Sequence, residues 1–155
     1  MKRWPWYLAA LSLIAVLNLL PFSGTDVAQL KPVEVLWIYQ TEDGEVIETD
    51  TLDRGIGSDP EDAFDDLMQT TSGHIFLETA DYLLLDRQTL ALLPHLMGRL
   101  RPACGVCIAE GQIDMEQVAS FLNAHPLKHT LQDCSEGNAP IQLLKAEEGR
   151  MYLVS

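Results

Sequence analysis

The chain has 155 residues, enough for one domain of ordinary size. Its formal net charge of −13 argues against nucleic acid as a partner, because phosphate binding needs a basic face. At 47% hydrophobic residues it buries a core and is not a disordered acidic tail, and its three cysteines cannot all pair with one another.

Lys2 and Arg3 open the chain, and no charge follows until Asp26. Trp4 to Phe22 would cover roughly 28 Å as a helix at about 1.5 Å per residue, close to the hydrocarbon thickness of a bilayer. Lys2 and Arg3 are then expected in the cytoplasm, with Trp4, Trp6 and Tyr7 at the interface and everything after residue 25 outside. A cleaved signal peptide shares this opening, but a cut needs small residues at −3 and −1. Cutting after Gly24 puts Phe22 at −3, and cutting after Ala28 puts Asp26 there. Residues 1–25 are therefore expected to stay as an uncleaved anchor in the cell membrane, followed by a linker over 26–32 and a domain over 33–155.

Val33 to Gln40 is rich in valine, leucine, isoleucine and aromatic residues, which predicts a strand. Glu42-Asp43-Gly44 is a hairpin turn, because Asp-Gly accepts positive φ. Glu45 to Thr51 is the returning strand, expected at an exposed edge because of its acids Glu45, Glu48 and Asp50. Asp53 to Gly57 is predicted as a loop. Ser58-Asp59-Pro60-Glu61-Asp62 starts a helix with a cap, an early proline and acids at the positive dipole end. Ala63, Phe64, Leu67 and Met68 form its buried stripe. Tyr82 to Leu85 is a central strand, and Gln88 to Leu100 is a helix bent near Pro94. Ala103 to Ala109 is a further strand, expected in parallel beside Tyr82–Leu85. Asp114 caps a helix that His125-Pro126 stops, and Ile141–Ala146 and Arg150–Val154 are the last strands. This order predicts a mixed α+β (α/β) domain, a mixed sheet with about three packed helices, preceded by one N-terminal transmembrane or signal helix.

Cys104-Gly105-Val106-Cys107 is the most conspicuous motif. Redox centres place Cys-x-x-Cys at a helix start, where the dipole lowers the thiol pKa. Here it falls in an apolar strand, where three residues span about 10 Å and the side chains face opposite ways. A zinc site could draw on Cys104, Cys107, Cys134 and one of His95, His125 or His129, but a second close-spaced ligand pair is missing. The acids Asp59, Glu61, Asp62, Asp65 and Asp66 lack a calcium loop's glycine pivot, and Asp53 to Gly57 lacks a phosphate loop's Lys-Ser/Thr ending. No catalytic set, cofactor site or metal site is predicted.

Val33 to Leu122 resembles the N-terminal domain of the Ger(x)C proteins, the C-subunits of spore germinant receptors. The matching run is a strand hairpin, then Gly57-Ser58 with Glu61, Ala63 and Phe64 opening a helix, then the strand Tyr82-Leu83-Leu84-Leu85. A helix over Leu90–Leu100, a strand through Cys104–Ala109, Glu110-Gly111 and a helix at Met115–Leu122 complete it. Asp81 stands where that family often has histidine, and no lipid-attachment cysteine follows the apolar run. The resemblance implies a non-enzymatic, outward-facing domain on the membrane of a spore-former, with a role in germination or sporulation. The expected partners are the membrane, through residues 4–22, and a protein that docks on Glu45, Glu48 and Asp50.

Overall fold

The computed structural model describes residues 30–137, 139–147 and 149–154. The anchor expected over residues 1–25 lies outside them. Among the described residues no helix is long and apolar enough to cross a membrane.

In chain order the strands and helices are β1 (Leu30–Pro32), β2 (Val35–Thr41), β3 (Gly44–Thr49), β4 (Arg54–Gly57), α1 (Pro60–Thr70), β5 (His74–Phe76), β6 (Tyr82–Leu85), α2 (Leu93–Leu96), β7 (Gly105–Gly111), α3 (Met115–Ala124), α4 (Leu131–Ser135), β8 (Gln142–Glu147) and β9 (Arg150–Val154). Short 3-10 turns occupy Leu77–Thr79 and Thr89–Leu92. Seven strands form one sheet in the order β4-β3-β2-β6-β7-β8-β9, and β1 pairs with β5 in a two-stranded ribbon. The four inner strands β2, β6, β7 and β8 are parallel, as expected for Tyr82–Leu85 beside the strand through Cys107. Antiparallel partners close both sides, β3 and β4 on one and β9 on the other.

Alternation along the strands makes two apolar layers. Leu36, Ile38, Ile47, Leu83, Leu85 and Val106 face α1, α2 and α4. Val35, Leu84, Cys107, Ala109 and Leu144 face α3. Local chemistry explains where the helices begin. The Asp59 carboxylate accepts the Asp62 N–H at 3.0 Å, with Pro60 in the first turn. Asp114 accepts the Glu116 N–H at 3.0 Å. Thr130 and Asp133 bond reciprocally at the start of α4.

Four expectations need correction. The Glu45–Thr51 strand is not an edge, because β4 pairs along it from Glu45↔Gly57 to Glu48↔Arg54. Asp53 to Gly57 is accordingly not a loop; its last four residues are a strand. The helix expected over Gln88–Leu100 shrinks to a 3-10 turn and the single turn of α2. Pro94 sits in the first turn of α2, where its missing N–H is harmless, and so begins a helix instead of bending one. Finally, the last three residues of the expected linker are β1, tied to β5 from Leu30↔His74 to Pro32↔Phe76.

Candidate binding surface

The cysteines are the first candidates for chemistry, and all three are buried and free. Cys104 belongs to the layer under α1, α2 and α4, whereas Cys107 belongs to the layer under α3. The sheet thus separates the two thiols, as expected of a strand. Burial pushes both up to about 12, so neither ionises near neutral pH. Cys134 shares the Cys104 layer and is also raised by burial. His125 stacks on Phe121 with ring centroids 4.6 Å apart, on α3. Among the described residues no three His, Cys, Asp or Glu side chains are grouped to hold a metal ion.

The glycines before α1 serve packing and not phosphate binding. A Cβ on Gly55 would lie 2.2 Å from the Ala63 carbonyl oxygen, and one on Gly57 would lie 2.2 Å from the Ala63 nitrogen. Helix α1 therefore presses on β4 where an anion would have to sit. Its acids are also engaged. Asp62 accepts from the Ser58 hydroxyl at 2.7 Å, and Asp66 accepts the Ile56 N–H at 2.9 Å.

Glu45, Glu48 and Asp50 are all half-buried, and the structure does not bring them together on one face. Glu48 lies opposite Trp37 and accepts from the Tyr39 hydroxyl at 3.1 Å. Glu45, three residues away in the same strand, points to the opposite face. Its Oε2 is buried without a hydrogen-bond partner. Burial, then the charges of Asp59 and Asp86, raise its pKa. Asp50 accepts the Glu34 and Val35 N–H groups at 3.1 and 3.2 Å and so fixes the start of β2.

Comparison with family models, curated proteins and solved structures finds no match. The surface must therefore be read from its own charge and shape. Residues 33–86 hold 15 acidic residues and one basic residue, Arg54, while residues 87–155 hold seven acidic and six basic. Strand order turns this split along the chain into a split in space. Strands β4, β3, β2 and β6, with α1, form the acidic half, and β7, β8 and β9 form the near-neutral half. Counting charge in windows along the sequence would have found this division.

Six of these acids, Glu42, Asp43, Glu45, Asp59, Glu61 and Asp62, gather at one corner. Glu45 pairs with Gly57, which sets the exposed Glu42-Asp43 turn beside the start of α1. There Asp59, Glu61 and Asp62 are exposed, and the positive end of the helix makes their charge tolerable. A cleft of about 400 Å³ opens at this corner between α1 and the Leu92–Arg99 stretch. Phe64, Leu92 and Leu96 supply its apolar lining, and Asp59, Glu61 and His95 its polar lining. Arg99 reaches in from the side, 4.7 Å above the Phe64 ring and 3.8 Å from Glu61. The cleft thus already holds one guanidinium between an aromatic face and a carboxylate.

The near-neutral half ends in β9. Among the described residues its outer side has no strand partner. Tyr152 and Val154 are 38% and 39% exposed, on the face away from α3.

Proposed function

We propose that this chain is a membrane-anchored, non-enzymatic binding or assembly protein. Its domain stands outside the cytoplasm and works in the manner of the germinant-receptor C-subunit domain it resembles. Residues 4–22 hold it in the bilayer, and the acidic corner receives a basic surface of a protein partner. The observation that carries this reading is the sorting of charge. A single half with 15 acids and one base is a field built for a cationic partner, and it would speed and orient the encounter. Of the half-buried Glu45, Glu48 and Asp50, only Glu45 lies beside this corner, and the exposed Glu42, Asp43 and Glu61, the last shared with Arg99, are the groups positioned to meet a partner. The rival use of Cys104 and Cys107 for thiol or zinc chemistry loses support from their burial on opposite sides of the sheet.

The test is a pull-down of the full chain from membranes, with Glu42, Asp43 and Glu61 replaced by lysine in a second sample. The native chain should recover a protein partner whose binding weakens with salt, and the triple variant should lose it. These are exposed charges, so the variant should stay folded. Recovery of no partner, or a partner held equally well by the variant, would remove the proposal.

A further inference from the structure

We propose that β9 is the seam at which a second copy of this chain joins, antiparallel, to continue the sheet. The two edges of the sheet are treated differently. At β4 the outward backbone is covered by helix α1: Asp66 takes the Ile56 N–H at 2.9 Å, and the Thr70 hydroxyl reaches the Arg54 carbonyl at 3.5 Å. Among the described residues no side chain caps the backbone of β9. Beyond Arg150 beside the turn, β9 carries none of the usual guards of an open edge, since it holds no proline, no lysine and no acid.

The strand is also suited to pair with itself. Glu147 faces Arg150 across a two-residue turn, so these form a hydrogen-bonded pair, as do Lys145↔Tyr152 and Leu143↔Val154. Alternation then turns the N–H and C=O groups of Met151 and Leu153 outward. A two-fold axis through Tyr152 sets Met151 of one copy against Leu153 of the other, and both pairs exchange their outward bonds. Tyr152 meets its own mate at the axis, and Val154 extends the apolar contact beyond it. Ile108, Leu143 and Val154 lie in register across β7, β8 and β9 as a half-exposed apolar band that the joined sheet would double.

The self-matching register points to another copy as the occupant, and charge permits it. Two domains this acidic repel, yet residues 141–154 hold two acids, Glu147 and Glu148, and two bases, Lys145 and Arg150. Joining at β9 keeps both acidic halves at the far ends of a fourteen-strand sheet, where the repulsion is screened beyond about 10 Å of salt solution. The inference is independent of what the acidic corner binds.

Cysteine cross-linking of the full chain in mild detergent tests it. In a non-hydrogen-bonded antiparallel pair the Cα atoms are about 4.5 Å apart, within disulfide range. Tyr152→Cys should therefore give a covalent dimer on mild oxidation, while the native chain, with Cys104, Cys107 and Cys134 buried, should not. Lys145→Cys lies one strand inward, three strand spacings or roughly 14 Å from its mate, and should stay monomeric. Adding Leu153→Pro to Tyr152→Cys removes an outward N–H without touching the β8 ladder, and should abolish the dimer while Cys104 and Cys107 stay protected. Equal cross-linking at 145 and 152, which marks random collision, or no cross-linking at 152, would overturn the proposal. So would a dimer that survives Leu153→Pro.

Discussion

Adding one methyl group at Gly55 should have the opposite effect to adding one at Gly98. At Gly55 the new Cβ meets the Ala63 carbonyl oxygen at 2.2 Å, the Leu67 nitrogen at 2.5 Å and the Leu67 Cβ at 2.6 Å. Two of these are helix backbone, so no rotamer change relieves them; α1 must retreat by about 1 Å to reach ordinary contact. A gap of that size forfeits a quarter to a half of each dispersion contact along the buried face of Ala63, Phe64 and Leu67. Overpacking of this kind costs about 1–3 kcal/mol, and the backbone obstacle places Gly55→Ala at the upper end, about 3 kcal/mol. Gly98 has no atom within 4 Å of its added Cβ and no positive φ. Gly98→Ala should stabilise by about 0.4–1 kcal/mol, because the unfolded chain loses freedom. Urea unfolding followed by circular dichroism measures both. A neutral Gly55→Ala would mean that Arg54–Gly57 is a free loop and would refute the account of β4.

Glu45→Gln tests the buried Oε2. The folded pKa is raised above its ordinary 4.5, so Glu45's contribution is present in acid and lost as pH rises through the raised value. The variant should therefore be more stable than the native chain at neutral pH and equal to it in acid, read from unfolding midpoints across pH. Cys104 and Cys107 should resist a thiol reagent at mildly alkaline pH until urea is added, and a fast count of three thiols in the folded chain would contradict their burial. Asp66→Ala should cost about 1 kcal/mol by freeing the Ile56 N–H, measured in the same urea assay. Mass spectrometry of the chain from membranes should find residues 1–25 retained; a start between Gly24 and Lys31 would identify a cleaved signal instead.

The inner strands were legible because long apolar runs such as Tyr82–Leu85 have few alternatives, and α1 and α3 because cap and stripe largely agree, although Met68, expected in the buried stripe of α1, is 41% exposed. What escaped depended on contacts distant in sequence. Arg54-Gly55-Ile56-Gly57 has poor strand propensity, and only the approach of α1 explains its glycines. That missing strand is why β3 was misplaced at the edge, and with it the expected role of Glu45, Glu48 and Asp50. Helix α4 was a different kind of miss, since Thr130-Leu131-Gln132-Asp133 carries a readable capping signal before a very short helix. The binding corner was half legible. Its acids are plain in the sequence, but their convergence with Phe64 and Arg99 follows from the packing of α1.

The parallel centre of the sheet has a consequence for the order of folding. The β2–β3–β4 meander with α1, and the β8–β9 hairpin, are built from neighbours in sequence and can close within microseconds. The contact Val35↔Tyr82 must wait for β6, and β7 and β8 can dock only after it. Until then β2 has one partnered side and one bare side, along Val35, Leu36, Trp37 and Ile38. If the chain emerges from its N-terminus, this is the stretch most exposed to pairing with a neighbouring nascent chain, and slowing synthesis between Thr41 and Tyr82 should lengthen that window.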